Sequence, residues 1–205
     1  MVPGGSLMQA LLMNDTIGQG DGRTQRERML AGDLYIADDP ELAADSLRAR
    51  RLQAQFNGTL PDAAAERLEI LQELLGAFGP ASEIRPPFYC DYGYQIHVGS
   101  RTFANFGLIA LDVGVITIGD DVQIGPNVQL LTPTHPVAAD LRREKWEAAK
   151  PITIGSNVWL GGGVMVLPGV SIGDNSVVGA GAVVTRDLSD NVVAMGTPAR
   201  VVRSV

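Results

Sequence analysis

A six-residue repeat runs from Val98 to Val193 and limits the folds that this chain can adopt. Within three segments an aliphatic residue returns every six positions, at Val98, Ala104, Ala110, Ile118, Ile124, Leu130, Ile154, Leu160, Val166, Ile172, Val178 and Val184. Glycine follows many of them, and a second small or β-branched residue recurs four places on, at Val122, Val128, Val158, Val164, Val170, Ser176 and Ala182. This period matches neither an α-helix nor the simple alternation of a strand.

The period is typical of a β-helix, in which short strands stack coil on coil. One coil cannot bury its own apolar face, but the coils above and below it can. The glycines suit the corners, where a Cβ would obstruct the backbone. An antiparallel sandwich would instead place turn signals about every 8–12 residues. The sequence therefore predicts a mainly β chain folded as a β-helix.

Composition narrows the functional classes. The chain has 205 residues, 45% hydrophobic and 19% charged, which fits one or two globular domains. A net charge of −7 argues against binding to nucleic acid or to an anionic membrane. The single cysteine, Cys90, excludes an internal disulfide, and we expect inert packing for it. Leu7–Met13 is too short to span a membrane and no Lys or Arg precedes it, so we expect a cytoplasmic protein.

Three helices are predicted before the repeat begins. The first covers Thr24–Tyr35, the second covers Glu41–Phe56 after an Asp39 N-cap, and the third opens at Pro61 and continues to Gly79. The predicted organisation is a poorly patterned arm over 1–22, a helical cap over 23–80 and a β-helix over 81–205 with a C-terminal tail. We expect the cap to cover the open end of the solenoid.

One long insertion, about 131–151, interrupts the repeat and contains the first candidate for chemistry. His135 lies there between two prolines, where a rigid scaffold can aim an imidazole that takes up and returns a proton. His97, the other histidine, lies in a strand-like run, and we expect a structural role for it. Trp146, among charged residues of the insertion, could either pack over a neighbour or form a ligand platform.

Several motifs resemble those of the maltose/galactoside O-acetyltransferase group of the hexapeptide-repeat acyltransferases. They are Met29-Leu30-Ala31-Gly32-Asp33-Leu34-Tyr35, Phe88-Tyr89-Cys90-Asp91-Tyr92-Gly93, Phe103-Ala104-Asn105-Phe106, Thr134-His135-Pro136, the segment 150–162, the segment 179–187 and Gly196-Thr197-Pro198-Ala199-Arg200-Val201-Val202-Arg203. The resemblance covers about residues 24–205. It implies a left-handed parallel β-helix that forms a homotrimer, with acetyl-CoA and a small sugar meeting between subunits and with no metal requirement.

The resemblance also implies roles for individual residues. His135 would be the general base for direct attack of a sugar hydroxyl on the thioester, Asn105 would help to hold that hydroxyl, and Glu147 could orient the His135 ring. Acceptor contacts would come from Asp38, Asp91, Phe103, Asn105 and Asp112. Acetyl-CoA contacts would come from Trp159, Gly162, Ala180, Thr185, Arg186, Arg200 and Arg203, with the Gly162 N–H near the thioester carbonyl.

Alternatives remain open at this point. Galactoside members carry an Asp in the cap where this chain has Ala37, so Asp38 or Asp39 could replace it and the sugar is unspecified. The same fold could acetylate an amine, a serine or a larger glycan, or could be a catalytically silent binding trimer. Asn105 could instead belong to an Asn ladder, and Arg200 and Arg203 could be a solvated tail. A zinc hydratase would need three His ligands, and the chain has two histidines.

Overall fold

The computed structural model describes residues 21–205, and it confirms the parallel β-helix. The arm that the sequence places at 1–22 therefore lies outside the described residues apart from its last two positions. Three parallel sheets form the walls of the solenoid, and successive coils add short strands to them. A small antiparallel sheet lies beside them.

The strands alternate among the three walls in chain order. The first wall contains β2 (Ala77–Phe78), β5 (Ile96–Val98), β8 (Ile116–Ile118), β13 (Ile152–Ile154) and β16 (Ser171–Ile172). The second contains β3 (Glu83–Ile84), β6 (Phe103–Ala104), β9 (Gln123–Ile124), β14 (Trp159–Leu160), β17 (Val177–Val178), β19 (Val192–Met195) and the antiparallel β20 (Arg200–Ser204). The third contains β4 (Phe88–Cys90), β7 (Leu108–Leu111), β10 (Gln129–Leu131), β15 (Met165–Val166) and β18 (Val183–Val184).

The two repeating columns of the sequence form the core. Every residue of the aliphatic column from Val98 to Val184 is buried, and so is every residue of the second column, including Ser176. Strand register keeps like positions above one another, with Ile118 beside Ile154 and Leu160 beside Val178. Because each coil is covered by its neighbours, the apolar face is continuous along the solenoid.

The corners of the solenoid differ in the residues that allow the backbone to turn or to approach the next coil. At one corner the left-handed conformation is taken by asparagines rather than by glycine, with φ of 55° at Asn157 and 58° at Asn175, and their amides bond in a ladder that ends at Asn191. At another corner Gly161 meets the next coil so closely that a Cβ would lie 2.6 Å from the Ala180 nitrogen. Asn105 is not part of this ladder, since its side chain accepts a hydrogen bond from the N–H of Phe106.

The cap helices differ from prediction at their C-terminal ends. Helix α1 (Gln25–Leu30) starts at a capping box formed by Thr24 and Glu27, but it ends before Gly32, which has a φ of 76°. The expected continuation to Tyr35 is therefore wrong: Tyr35–Ile36 form strand β1. Helix α2 (Pro40–Asn57) begins at the predicted Asp39 N-cap, whose carboxylate accepts the N–H groups of Glu41 and Leu42.

The third helix, α3 (Ala64–Leu74), starts later and ends earlier than the sequence pattern predicted. Ala77 and Phe78 pair with His97 and Val98 in the first wall, so the solenoid begins inside the segment assigned from sequence to the cap. An apolar residue such as Phe78 fits the buried face of a helix or of a strand equally well. It is in a strand here because the next coil provides a pairing partner.

The insertion folds back onto the cap. Strand β11 (Pro133–Thr134), helix α4 (Ala139–Arg143) and strand β12 (Trp146–Ala149) follow β10, and β12 pairs antiparallel with both β11 and β1. Trp146 is buried, which favours the packing role over the ligand platform. No helix among residues 21–205 has the length and apolar character needed to cross a membrane.

Candidate functional site

His135 lies at the end of β11, where the insertion leaves the solenoid. Its side chain is 59% exposed, and its Nε2 lies 3.9 Å from Oε1 of Glu147. The two residues are brought together because β11 and β12 pair, with Thr134 opposite Ala148. The predicted proximity of His135 and Glu147 therefore results from the antiparallel pairing of β11 with β12.

Glu147 is held from the cap side as well. The hydroxyl of Tyr35 donates to Oε2 of Glu147 at 2.7 Å, and Tyr35 stands opposite Glu147 in the β1–β12 pair. In the sequence Tyr35 is part of a family motif, which indicates no role for its hydroxyl. No local pattern around Tyr35 indicates a partner that is more than a hundred positions away.

A second group of carboxylates lies beside this hairpin. Burial, then the charges of Asp112 and Glu147, raise the pKa of Asp91 to about 7. Burial also raises the pKa of Asp112, although backbone N–H groups act in the opposite direction. Asp91 is half-buried, so a polar acceptor could reach it.

Asp112 does not have the setting of a direct acceptor contact. It is 0% exposed, and its carboxylate accepts the backbone N–H groups of Asp91 at 3.0 Å, Tyr92 at 2.9 Å and Gln95 at 3.2 Å. The Gln95 side chain in turn donates to the backbone oxygens of Asp112 and Val113. The structure therefore gives Asp112 the task of fixing the turn that carries Asp91.

The two neighbouring aspartates of the cap, Asp38 and Asp39, have different surroundings. Asp39 is used as the N-cap of α2, whereas Asp38 is exposed and is left available. Ala37, at the position of the missing family Asp, donates its N–H to the backbone oxygen of Lys145. Of the two candidates for the acceptor contact, the geometry thus favours Asp38.

Phe103 and Asn105 lie on the second wall, away from the hairpin in the same chain. Phe103 pairs with Glu83 in the preceding coil and with Gln123 in the next coil. The Arg85 guanidinium carbon lies over its ring, 4.9 Å from the ring centroid. The Asn105 backbone N–H bonds to Ile124, which fixes the position of the residue relative to the next coil.

The candidates for acetyl-CoA contact follow the same wall and its corner. Trp159, on β14, is 57% exposed, so its indole is available to a ligand. The backbone N–H groups of Gly162 and Ala180 occupy successive coils at the corner, and neither donates a hydrogen bond within residues 21–205. Free N–H groups in a column beside an exposed aromatic ring can bind amide and carbonyl oxygens of an extended ligand.

The basic candidates lie toward the C-terminal end. Thr185 and Arg186 follow β18, and Arg200 and Arg203 belong to β20; all four are exposed. The guanidinium groups of Arg200 and Arg203 donate only to backbone oxygens of neighbouring residues, Ala199 and Ser204. Within the described part of the chain they form no ion pair with a carboxylate, so they are available to phosphate groups.

Within one chain the candidates form two separate groups. The first, whose members interact with one another, contains Tyr35, Asp91, Asp112, His135 and Glu147. The second contains the candidates outside that network, which are Asp38, Phe103, Asn105, Trp159, Gly162, Ala180, Thr185, Arg186, Arg200 and Arg203. No hydrogen bond or ion pair among residues 21–205 joins them.

His97 and Cys90 have structural surroundings. His97 is half-buried on β5 between Ala77 and Thr117. Burial, followed by the charges of Asp112 and Asp91, raises the pKa of the buried Cys90 thiol, which keeps it protonated. Among residues 21–205, no group of three or more His, Cys, Asp or Glu side chains could hold a metal ion.

Two family models match the chain. Residues 28–79 match the maltose acetyltransferase hexapeptide capping motif, and residues 151–186 match the bacterial transferase hexapeptide with six repeats. The first match covers the cap and the second covers later coils of the solenoid. A curated relative, nodulation protein L of Rhizobium meliloti, is 49% identical over 179 residues, or 87% of this chain and 98% of the relative.

Two solved structures of acetyltransferases have a fold similar to that of this chain. A maltose O-acetyltransferase from Clostridium difficile is 46% identical with a TM-score of 0.88, covering 89% of this chain and 98% of that one. A galactoside acetyltransferase in complex with coenzyme A is 42% identical with a TM-score of 0.85, covering 89% of this chain and 91% of that one.

Proposed function

Because the chain belongs to the maltose/galactoside group of hexapeptide-repeat acetyltransferases, we propose that it moves an acetyl group from acetyl-CoA to a hydroxyl of a small sugar, with His135 as general base. Membership makes the protein an acyltransferase; the acceptor and the role of His135 are the proposal. The observation that carries it is the exposed imidazole of His135 facing the Glu147 carboxylate at 3.9 Å.

His135 would act on the acceptor before the thioester bond breaks. In this proposal Nε2, which lies 3.9 Å from the Glu147 carboxylate, would approach it and donate to it, and Nδ1 would take the hydroxyl proton. The hydroxyl oxygen forms a bond to the acetyl carbonyl carbon, and the bond from that carbon to sulfur breaks. His135 then gives its proton to the departing CoA thiolate, so that the ring ends neutral.

The second group of residues supplies the acetyl-CoA site in this proposal. The free N–H of Gly162 would stabilise negative charge on the thioester oxygen as attack proceeds. The exposed indole of Trp159 and the N–H of Ala180 would line the pantetheine channel. Thr185, Arg186, Arg200 and Arg203 would contact the nucleotide and its phosphates.

We infer that the active site forms between subunits of a homotrimer. The reasoning is that His135 and Asn105 belong to separate groups of one chain, although the proposed mechanism places both at one hydroxyl. Large apolar side chains on the outer surface, including Tyr89 at 50% and Phe106 at 51% exposure, support contact with another copy. In the trimer, Asn105 and Phe103 of one chain would meet His135, Asp91 and Asp38 of the next.

The test is release of CoA thiol from acetyl-CoA across a panel of glucose, maltose and a galactoside. We expect acetylation of at least one sugar, and a loss of about 10²–10⁴-fold in kcat for His135→Ala. His97→Ala is the matched control, since it removes the other histidine from a wall that carries no candidate group. Full activity in His135→Ala, or an equal loss in both variants, would refute the general-base role.

The same panel tests the acceptor class. Binding of CoA without turnover on any of the sugars would overturn the small-sugar assignment and direct the search to a larger glycan, an amine or a serine. Failure to bind CoA would overturn the proposal as a whole.

A further inference from the structure

We propose that Tyr35 is a positioning residue for the reaction, which acts by holding Glu147 in the orientation that aligns His135. The helical cap thereby contributes to the alignment of the general base, beyond covering the end of the solenoid. The inference rests on the proposed role of His135.

The first step of the argument is the three-stranded sheet. Strand β1 of the cap pairs with β12, and β12 pairs with β11, which ends next to His135. In this sheet Tyr35 is directly opposite Glu147, and Ile36 is opposite the buried Trp146. The cap strand is therefore the outer support of the hairpin that carries the imidazole.

The second step is the fixed position of the Tyr35 hydroxyl. Tyr35 is 1% exposed and packs in a cluster with Met29, Leu42, Tyr92 and Val113. Burial, then the hydrogen bond and charge of Glu147, raise the pKa of Tyr35, so its hydroxyl stays protonated and acts as a donor. A ring locked by packing can direct that donor to one place.

The third step concerns the Glu147 carboxylate, which has two oxygens with different partners. Oε2 accepts from the Tyr35 hydroxyl at 2.7 Å, and Oε1 faces His135 at 3.9 Å. Tyr35 is the one side chain that donates a hydrogen bond to Glu147 within residues 21–205. Without that bond the carboxylate can rotate, and the exposed imidazole loses a defined partner. Small displacements of catalytic groups reduce rates strongly, by about 10²-fold for 1 Å.

The test compares Tyr35→Phe with Tyr94→Phe. Each change removes one hydroxyl that donates a hydrogen bond to a carboxylate. The Tyr35 hydroxyl donates to Glu147, whereas the Tyr94 hydroxyl donates to Asp45 at 3.1 Å. We expect Tyr35→Phe to lower kcat about tenfold with unchanged KM for acetyl-CoA and acceptor. Tyr94→Phe should keep the wild-type kcat. Unfolding midpoints of the two variants should be similar.

A double-mutant cycle separates positioning from general damage. In a His135→Ala background, Tyr35→Phe should cause no further loss, because a residue that acts through His135 has nothing left to orient. An undiminished loss in that background, or a Tyr35→Phe enzyme with full kcat, would overturn the inference. If His135→Ala itself keeps full activity, the proposed function fails first.

Glu147→Gln provides a second variant in case Tyr35→Phe does not assemble. The amide preserves the size of the side chain but removes the charge that faces His135. A fall in kcat without a change in KM supports the action of Glu147 on His135, through which Tyr35 would act, and full activity overturns the inference.

Discussion

Replacement of Asp112 by alanine tests how the turn that carries Asp91 is held. The carboxylate of Asp112 is fully buried and accepts three backbone N–H groups, at 3.0 Å from Asp91, 2.9 Å from Tyr92 and 3.2 Å from Gln95. Asp112→Ala leaves all three donors without that acceptor. Because unpaired buried donors are costly, we expect the turn to rearrange or to admit water.

The size of the effect follows from the count and kind of these bonds. A hydrogen bond to a charged group contributes about 1.5–3 kcal/mol. The raised pKa of Asp112 shows that burial of the carboxylate opposes part of this gain. We therefore expect Asp112→Ala to lower the free energy of unfolding by about 3–5 kcal/mol, which is less than the sum for three such bonds.

Urea unfolding followed by circular dichroism measures this loss, at one fixed protein concentration because the proposed trimer would make stability depend on concentration. Asp174→Ala is the matched control: Asp174 also accepts a backbone N–H, from Ser156 at 2.7 Å, but it is exposed. We expect the control to lose less than about 1 kcal/mol. A loss in Asp112→Ala no larger than in Asp174→Ala would refute the reasoning.

Two further predictions concern Asp91 and Trp159. The pKa of Asp91, about 7, lies above the ordinary value, so the stability contributed by its protonated form is present below about pH 4 and is lost as the pH rises through 7. Over this range the free energy of unfolding should decline by up to about 1.4 kcal/mol per pH unit, and Asp91→Asn should remove that decline. Wild-type and mutant stabilities that run parallel from pH 4 to 8 would contradict this. Trp159→Ala should raise KM for acetyl-CoA about tenfold, as expected for loss of about 1.4 kcal/mol of binding, without lowering the unfolding midpoint, since the indole is exposed. Gln123→Ala, its exposed neighbour in register, is the control, and equal KM values in the two variants would refute the assignment.

The repeat made the solenoid predictable because its information is local and periodic. Each buried column position recurs every six residues, so the inward face of most coils could be assigned before any pairing was known. Helix α2 was predictable for a similar reason, since Asp39 and Pro40 mark its start within a few residues. His135 could be singled out because there are only two histidines and one lies in a loop.

The ends of α1 and α3 could not be found in the same way. Tyr35 and Phe78 are aromatic residues that fit a helix as well as a strand. The choice depended on pairing partners elsewhere in the chain, which are Glu147 for Tyr35 and Val98 for Phe78. Strand pairing is a contact between distant positions, and no local pattern in either segment specifies it.

The sequence by itself determined the β-helix and its buried columns, and its resemblance to a family indicated the candidate side chains for the proposed acyl transfer. Only the tertiary structure decided how these side chains are used. It buried Asp112 against backbone N–H groups and joined the Tyr35 hydroxyl to Glu147. The physical reason is that hydrogen bonds and burial depend on which chain segments meet in space, whereas hydrophobic periodicity depends only on their order.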